Sequence, residues 1–230
     1  MPHGPQTVRI TAAITTLCAV LLALAAGCTP STSTATSRTE AVVADYPQFR
    51  DVTQLINTAD VVAVVEYVDS SESLLYPTIS SGGDEQTNPQ ADASVSPEDL
   101  EKMAVPVTLA KVKVIETLKG GLAPGQDVTF SQTGGTVGGT KVREASTALL
   151  SESLHRTTGK RFLLILEQQP NETFTSLNPE LGTLGILDND VLVELTSGKA
   201  VSKDAAQLVE SQRAGGLTVD DVRALAQSSP

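Results

Sequence analysis

Two cysteines, Cys18 and Cys28, and two histidines, His3 and His155, are the only thiols and imidazoles in the 230 residues. Cys18 sits inside an uncharged Ala/Leu/Val/Ile/Thr run from Ile10 to Ala26, behind a weakly basic start carrying His3 and Arg9. Small residues, Ala25-Ala26-Gly27, then lead into Cys28. A basic opening, an apolar stretch and small residues before a cut site are the marks of an export signal. The run is short of the roughly 20 apolar residues a spanning helix needs. An uncleaved anchor, or an ordinary secretory cut near Ala26 that leaves a free thiol, are the competing expectations. Removal of residues 1–27 leaves Cys28 as the one thiol of the mature chain, so no internal disulfide can form. The fold must stand on its core.

Other chemistry has few carriers. A Ser-His-Asp site would have to use His155, which lies in a polar stretch beside Arg156, and no Ser occupies a G-x-S-x-G turn. Zinc needs several His or Cys ligands, and the mature chain does not supply them. Asp188-Asn189-Asp190 offers oxygen ligands, so Asp188 and Asp190 form a weak calcium candidate. An EF-hand loop, however, is longer and ends in Glu, and tight hairpins use the same residues for backbone reasons. Gly134-Gly135-Thr136-Val137-Gly138-Gly139-Thr140-Lys141 looks like a phosphate loop only superficially, because the Lys does not follow the last Gly and no helix start follows it. A mobile hairpin fits it better. The expectation is a chain without a cofactor.

Charge and composition narrow the partners. The net charge is −11, and loss of residues 1–27 removes only one basic residue, Arg9. That balance disfavours nucleic acid and anionic headgroups, which need clustered Lys and Arg. With no Trp, three Tyr and four Phe, stacking on bases or sugar rings also has little support. Between Asp69 and Ala104 eight acids face one base, Lys102.

The elements follow from pattern. Thr29 to Thr39 is nearly all Ser and Thr and reads, within residues 28–45, as a flexible tether. The domain is expected from Tyr46 to the end. Val52, Leu55 and Ile56 give Asp51–Thr58 one helical stripe. Val61–Val68 is an unbroken β-branched run, the mark of a strand buried on both faces. Residues 69–104 lose the pattern and read as a long disordered insertion, with Leu74–Tyr76 extending the strand into it and Glu98–Met103 making a helical turn. In Val105–Leu118 the apolar positions change phase, from 105, 107 and 109 to 112 and 114. A β-bulge near Ala110-Lys111 is the reading.

Val128–Phe130 is a third strand ending at Gly134-Gly135, and Arg161–Leu166 a further buried strand. A short helix is expected over Ala145–Arg156 and a helical turn over Ala205–Val209. Asp188–Asp190 should turn a hairpin, and Thr218 should cap a last helix. The fold class expected is mainly β: a small OB-like closed barrel with short flanking helices and that insertion.

Two resemblances sharpen this. Leu24-Ala25-Ala26-Gly27-Cys28 resembles the lipobox of bacterial lipoproteins, with the Leu one place early and Ala25 where Leu is commonest. It implies cleavage between Gly27 and Cys28 and a diacylglyceryl group on the Cys28 sulfur. The order Ala59-Asp60-Val61-Val62, Leu118-Lys119-Gly120, Gly134-Gly135, then Gly159-Lys160-Arg161 through Leu166, resembles a group of uncharacterised bacterial exported proteins. More distantly it is similar to the OB barrels of netrin-like modules and tissue inhibitors of metalloproteinases. The likeness spans residues 51–68 and 105–200 and implies a five-stranded barrel. It does not carry the inhibitory mechanism, which uses a free N-terminal Cys that here would be acylated.

The function expected is a membrane-tethered, extracytoplasmic binding module without catalysis. Membrane lipid would be engaged through Cys28, a protein or envelope polymer through the barrel, and no nucleic acid. Alternatives are a carboxylate-dependent hydrolase on envelope material and a structural or assembly subunit of an envelope complex. Two facing carboxylates in a cleft would favour the hydrolase.

Overall fold

The computed structural model describes residues 38–77, 79, 82–84, 86–88, 95–202 and 216–228. The chain divides into two compact units, Met1–Thr36 and Ser37–Pro230, and every element described belongs to the second. Gly27, Cys28 and the turn expected at Ala205–Val209 lie outside the described residues.

Nine strands form one sheet: β1 (Arg38–Val42), β2 (Val61–Leu75), β3 (Val105–Lys119), β4 (Asp127–Val137), β5 (Thr140–Glu144), β6 (Arg161–Gln168), β7 (Phe174–Ser176), β8 (Thr183–Ile186) and β9 (Leu192–Glu194). The helices are α1 (Val52–Thr58), α2 (Pro97–Met103), α3 (Leu150–Ser153) running into a 3-10 turn at Leu154–Arg156, α4 (Pro179–Gly182) and α5 (Val219–Ser228). β2 pairs antiparallel with both β3 and β6, β3 with β4 and β6 with β7, and a parallel pair of β4 and β7 closes the ring. Five strands in this order, with the one parallel pair between the third and the fifth, make an OB-like barrel. The fold is mainly β with a closed barrel, as the sequence implies.

The unbroken apolar runs are explained by two cores. Val61, Ala63, Val65 and Tyr67 point into the barrel with Phe162, Leu164 and Leu166 of β6. Val62, Val64, Leu163 and Ile165 point the other way, into a second core under α1, α4 and α5 with Leu184, Ile186 and Leu192. Alternate side chains of a strand take opposite faces, so these strands need apolar residues at every position. The helices that cover the outer face start where capping residues allow. Asp51 Oδ1 accepts from Gln54 N at 2.8 Å, and Thr218 Oγ1 accepts from Asp221 N at 3.3 Å while Asp221 Oδ2 accepts from Thr218 N at 2.9 Å. The edge of β6 is divided: Phe162–Leu164 pair with β8 and Leu166–Gln168 with β7.

Five expectations need correction. The tether of residues 28–45 does not run to Tyr46, because Arg38–Val42 lies parallel to β5 as an edge strand. A Ser/Thr-rich composition hides a strand whose partner is a hundred residues away. The segment 69–104 is not all insertion: β2 stays paired with β3 until Leu75 meets Val105. Exposed polar residues on both faces broke the apolar pattern without breaking the ladder. β4 does not end at Gly134-Gly135. It bends there, at φ 117° and 152°, leaves the barrel and continues to Val137 beside β5. The short helix covers Leu150–Arg156 only.

The fifth concerns the phase change in β3. The irregularity expected near Ala110-Lys111 is present beside Lys111, but its extra residue is on the partner strand: the β2–β3 register shifts between Tyr67 opposite Val112 and Asp69 opposite Lys111, with Val68 skipped, and again at Val62/Ala63 and Val64/Val65. The β3–β4 register is unbroken from Val107 opposite Thr133 to Lys113 opposite Asp127. Ala110, Val112 and Val114 fill the barrel, so Val105, Val107 and Leu109 occupy the outer face.

Candidate functional site

The outward side chains of Val107 and Leu109 on β3 border a surface groove. Register places Ser73 beside Val107 and Leu75 beside Val105 on one side. On the other, Thr133 lies beside Val107 and Ser131 beside Leu109, with Thr175 of β7 next to Ser131. The surface is thus a small hydroxyl-rich floor with an aliphatic ridge. Leu75 is 57 % exposed and Val105 40 %. A groove of about 410 Å³ crosses it, walled by Ser73–Leu75 at one side and by Gln169–Asn171 of the β6–β7 loop at the other.

At one end this groove meets a second cavity, of about 220 Å³, which shares Leu75, Val107, Ser131 and Thr175 with it. Beyond Ser131 and Thr175, the residues on β4 and β7 are no longer paired with each other, and the barrel opens. The cavity enters that opening. Phe130, Val107 and Pro179 make its apolar part, and Gln132, Thr147, Ser176 and Thr183 its polar part. Tyr46, on the segment between β1 and α1, lines it too and donates from its hydroxyl to Thr133 Oγ1 at 3.4 Å. Burial pushes that hydroxyl above its ordinary range, the Thr133 contact partly offsets this, and the charge of Glu144 adds to the rise.

Polar groups inside the barrel end are mostly satisfied. Gln132 Oε1 accepts from Leu150 N at 3.0 Å and its Nε2 donates to Ala148 O at 3.4 Å, which anchors α3. The buried Thr108 hydroxyl donates to Gly134 O at 2.8 Å. Two buried oxygens have no hydrogen-bond partner: Thr183 Oγ1 and Glu144 Oε1. Thr183 is opposite Leu164 in the β6–β8 ladder, so its side chain belongs to the barrel-facing side. Glu144 Oε2 accepts from Ser146 N at 3.0 Å and Ser146 Oγ at 2.6 Å. Glu144 borders a chamber of about 30 Å³ that shares Thr133 and Thr147 with the cavity under Tyr46.

A wider, more polar depression of about 590 Å³ lies at the opposite end, between the β3–β4 and β6–β7 loops. Its two carboxylates, Asp127 and Glu172, do not make a catalytic pair. Asp127 Oδ2 is ion-paired with Lys111 Nζ at 2.8 Å, and that contact holds its carboxyl below the usual range.

The residues singled out in the sequence are not brought together. Asp188–Asp190 turn the β8–β9 hairpin, with Asp190 in left-handed backbone at φ 58° and its N–H donating to Leu187 O at 3.0 Å. Asp190 Oδ1 pairs with the Arg161 guanidinium. Among the described residues no three His, Cys, Asp or Glu side chains are placed to hold a metal ion. His155 Nε2 accepts from Arg156 Nε at 3.2 Å on the surface. Gly138-Gly139 makes the β4–β5 turn rather than a phosphate cradle. Tyr46, Glu144 and Thr183 were not legible as site residues. The one signal was the apolar phase change in β3, which turns Val107 and Leu109 to the outer face.

The barrel, the groove on its outer face and the adjoining cavity define the class of structure: an OB-like barrel with a surface groove. No protein-family model matches the chain, and no curated protein matches it either.

Proposed function

We propose that the chain is a lipid-anchored extracytoplasmic binding module. A diacylglyceryl group on Cys28 holds it to the outer face of a membrane, and the outer face of β2, β3, β4 and β7 binds an extended segment of a protein or envelope polymer. The observation that carries the binding half is a groove of about 410 Å³ lined by the outward Val107 and Leu109 and by the exposed Leu75. Exposed apolar patches on a concave, polar-rimmed surface serve recognition. Among the described residues, neither the groove nor the cavity under Tyr46 is lined by Asp or Glu, which favours binding over carboxylate hydrolysis.

The anchor half is supported by the Leu24–Cys28 pattern and by acyl chemistry, since buried methylenes contribute about 0.8 kcal/mol each to membrane affinity. No helix among the described residues is long and apolar enough to cross a membrane. Because β1 begins at Arg38, only residues 29–37 separate the lipid from the sheet edge. Nine residues span at most roughly 30 Å, so the barrel would stay close to the bilayer.

Replacing Cys28 with Ala should abolish labelling by a fatty-acid probe and leave unprocessed precursor. Labelling that persists, or maturation that continues, removes the anchor from the reading. For the groove, a photocrosslinking residue at position 109 should form a discrete adduct in intact cells, and one at position 188 should not. Equal adducts at both positions, or none at 109, would rule out the groove as the binding face.

A further inference from the structure

We infer that the partner held in the groove is an extended polypeptide segment carrying Arg or Lys. An aliphatic side chain of that segment lies on Val107 and Leu109, and its cationic side chain lies at Glu167 and Glu172. This rests on the reading of the outer face as the binding face, and it adds the class and the charge of the partner.

The groove continues past the β6–β7 loop. Asn171 and Thr173 of that loop line both the groove and the polar depression of about 590 Å³, so the two adjoin. From Val107 to Lys113 the outer face of β3 runs roughly 20 Å, the length of about six extended residues. A segment of that length reaches from the aliphatic end to the depression. Ser73 and Ser131 line the path with hydroxyls that bond to no protein group among the described residues. A hydroxyl both donates and accepts, which suits the amides of a main chain.

Charge changes along this path. The groove lining is uncharged, whereas the depression is lined by two carboxylates, Asp127 and Glu172, and by no Lys, Arg or His. Asp127 is already engaged by Lys111 at 2.8 Å, and Lys113 stands opposite it in the β3–β4 ladder. Glu172 is exposed and has no side-chain hydrogen bond or ion pair among the described residues. Glu167 lies opposite Thr175, so it shares the face on which Thr175 lines the groove. Its carboxylate is contacted by the neutral Gln169 amide at 3.4 Å and by no cation. The loop between groove and depression thus carries two carboxylates that lack a counter-ion. A guanidinium or ammonium group supplies the charge-assisted donors they lack, and complementary charge selects the partner's sign.

Other polymers fit less well. Nucleic acid and anionic envelope polymers bring like charge to Glu167 and Glu172. A neutral glycan finds no ring to stack on, because Phe174 is the one aromatic residue in either lining and is 4 % exposed. A basic polypeptide uses the aliphatic ridge, the hydroxyl floor and the acidic loop together.

The test uses two octapeptides of one shape and different charge. The first has the order Leu-Thr-Leu-Thr-Arg-Thr-Arg-Thr, and the second has citrulline in place of arginine. Each is made in both chain directions and titrated calorimetrically into the full chain in detergent. In one direction the arginine peptide should saturate and bind at least about tenfold more tightly than its citrulline counterpart. Glu167→Gln combined with Glu172→Gln should abolish that preference, and Leu109→Ser should weaken both peptides. Asp188→Asn, on the β8–β9 hairpin, should change neither affinity. Equal affinity for arginine and citrulline peptides, or no saturation by about 10 mM, overturns the inference. So does Leu109→Ser protein that binds as tightly as the unaltered chain. A loss from Asp188→Asn as large as that from the double variant also overturns it, since that would be general attraction to an acidic protein. An adduct at position 109 in cells together with equal peptide affinities sinks the partner's charge alone, whereas absence of that adduct sinks the groove itself.

Discussion

Val107 and Thr108 are neighbours in β3 that face opposite ways, and each has the polarity the other position would ordinarily have. Val107 points out to the floor of the groove, while the Thr108 hydroxyl points in and donates to Gly134 O at 2.8 Å. At this end the barrel is polar inside and aliphatic outside. That inversion follows where β4 bends at Gly134 and leaves the barrel, because the freed carbonyl needs a donor.

Leu109 and Leu163 separate recognition from stability. Leu163 is fully buried in the core under α1 and α5, and Leu163→Ala should cost about 2–5 kcal/mol. Leu109→Ser, on the outer face, should cost less than about 1 kcal/mol. Urea denaturation of both variants checks this. Equal losses would mean Leu109 is a core residue.

Gly120 closes β3 against the start of β2. Its φ is +96°, and a Cβ there would lie 2.6 Å from Asp60 O. Gly120→Ala combines left-handed backbone with a clash against main chain, so it should destabilise by about 1–3 kcal/mol. Gly121→Ala meets nothing within 4 Å and should be nearly silent. The melting temperatures of the pair give the comparison, and a silent Gly120→Ala would contradict the close approach.

Tyr46 should titrate above the ordinary tyrosine range, its hydroxyl raised chiefly by burial. An acid whose folded pKa is raised adds stability below its unfolded pKa and loses it as pH climbs from 10.0 through the folded value. Absorbance of tyrosinate near the alkaline end should show a late phase that Tyr46→Phe removes. Glu144→Gln should move that phase to lower pH, because the Glu144 charge contributes to the rise.

Arg223 joins α5 to β3. Its Nε and Nη2 donate to Glu116 Oε1 and Oε2, both at 2.9 Å, and Nη1 pairs with Asp220. These hydrogen bonds, Glu116 first, raise the guanidinium above its ordinary range. The groups are about one-third exposed, so screening limits their worth. Arg223→Ala should cost no more than about 1 kcal/mol, and the difference should shrink between low and high salt. A salt-independent loss would point to packing of the Arg stem instead.

Local pattern carried much of the fold. Val61–Val65 and Arg161–Leu166 announced burial on both faces because a strand with alternating sides can be apolar throughout only when both are covered. Asp51 and Thr218 announced helix starts because the cap is made within three residues. The hairpin at Asp188–Asp190 was legible for the same reason. The amino-acid sequence by itself also determined the acidity, the single mature thiol expected at Cys28 and the scarcity of aromatics.

Tertiary structure decided what lies across from each face. The period of two shows that Val107 and Val112 point opposite ways, but not which of them meets the barrel interior. That depends on where the ring closes through β4 and β7, which are paired over only two residues. Arg38–Val42 became a strand because β5, far along the chain, offered an edge. Tyr46, Glu144 and Thr183 are separated by 98 and 39 residues along the chain, and only the closed barrel sets them around one opening. Patterning reports periodicity along a segment, whereas a site is made of long-range neighbours, whose identity depends on how the whole sheet curls.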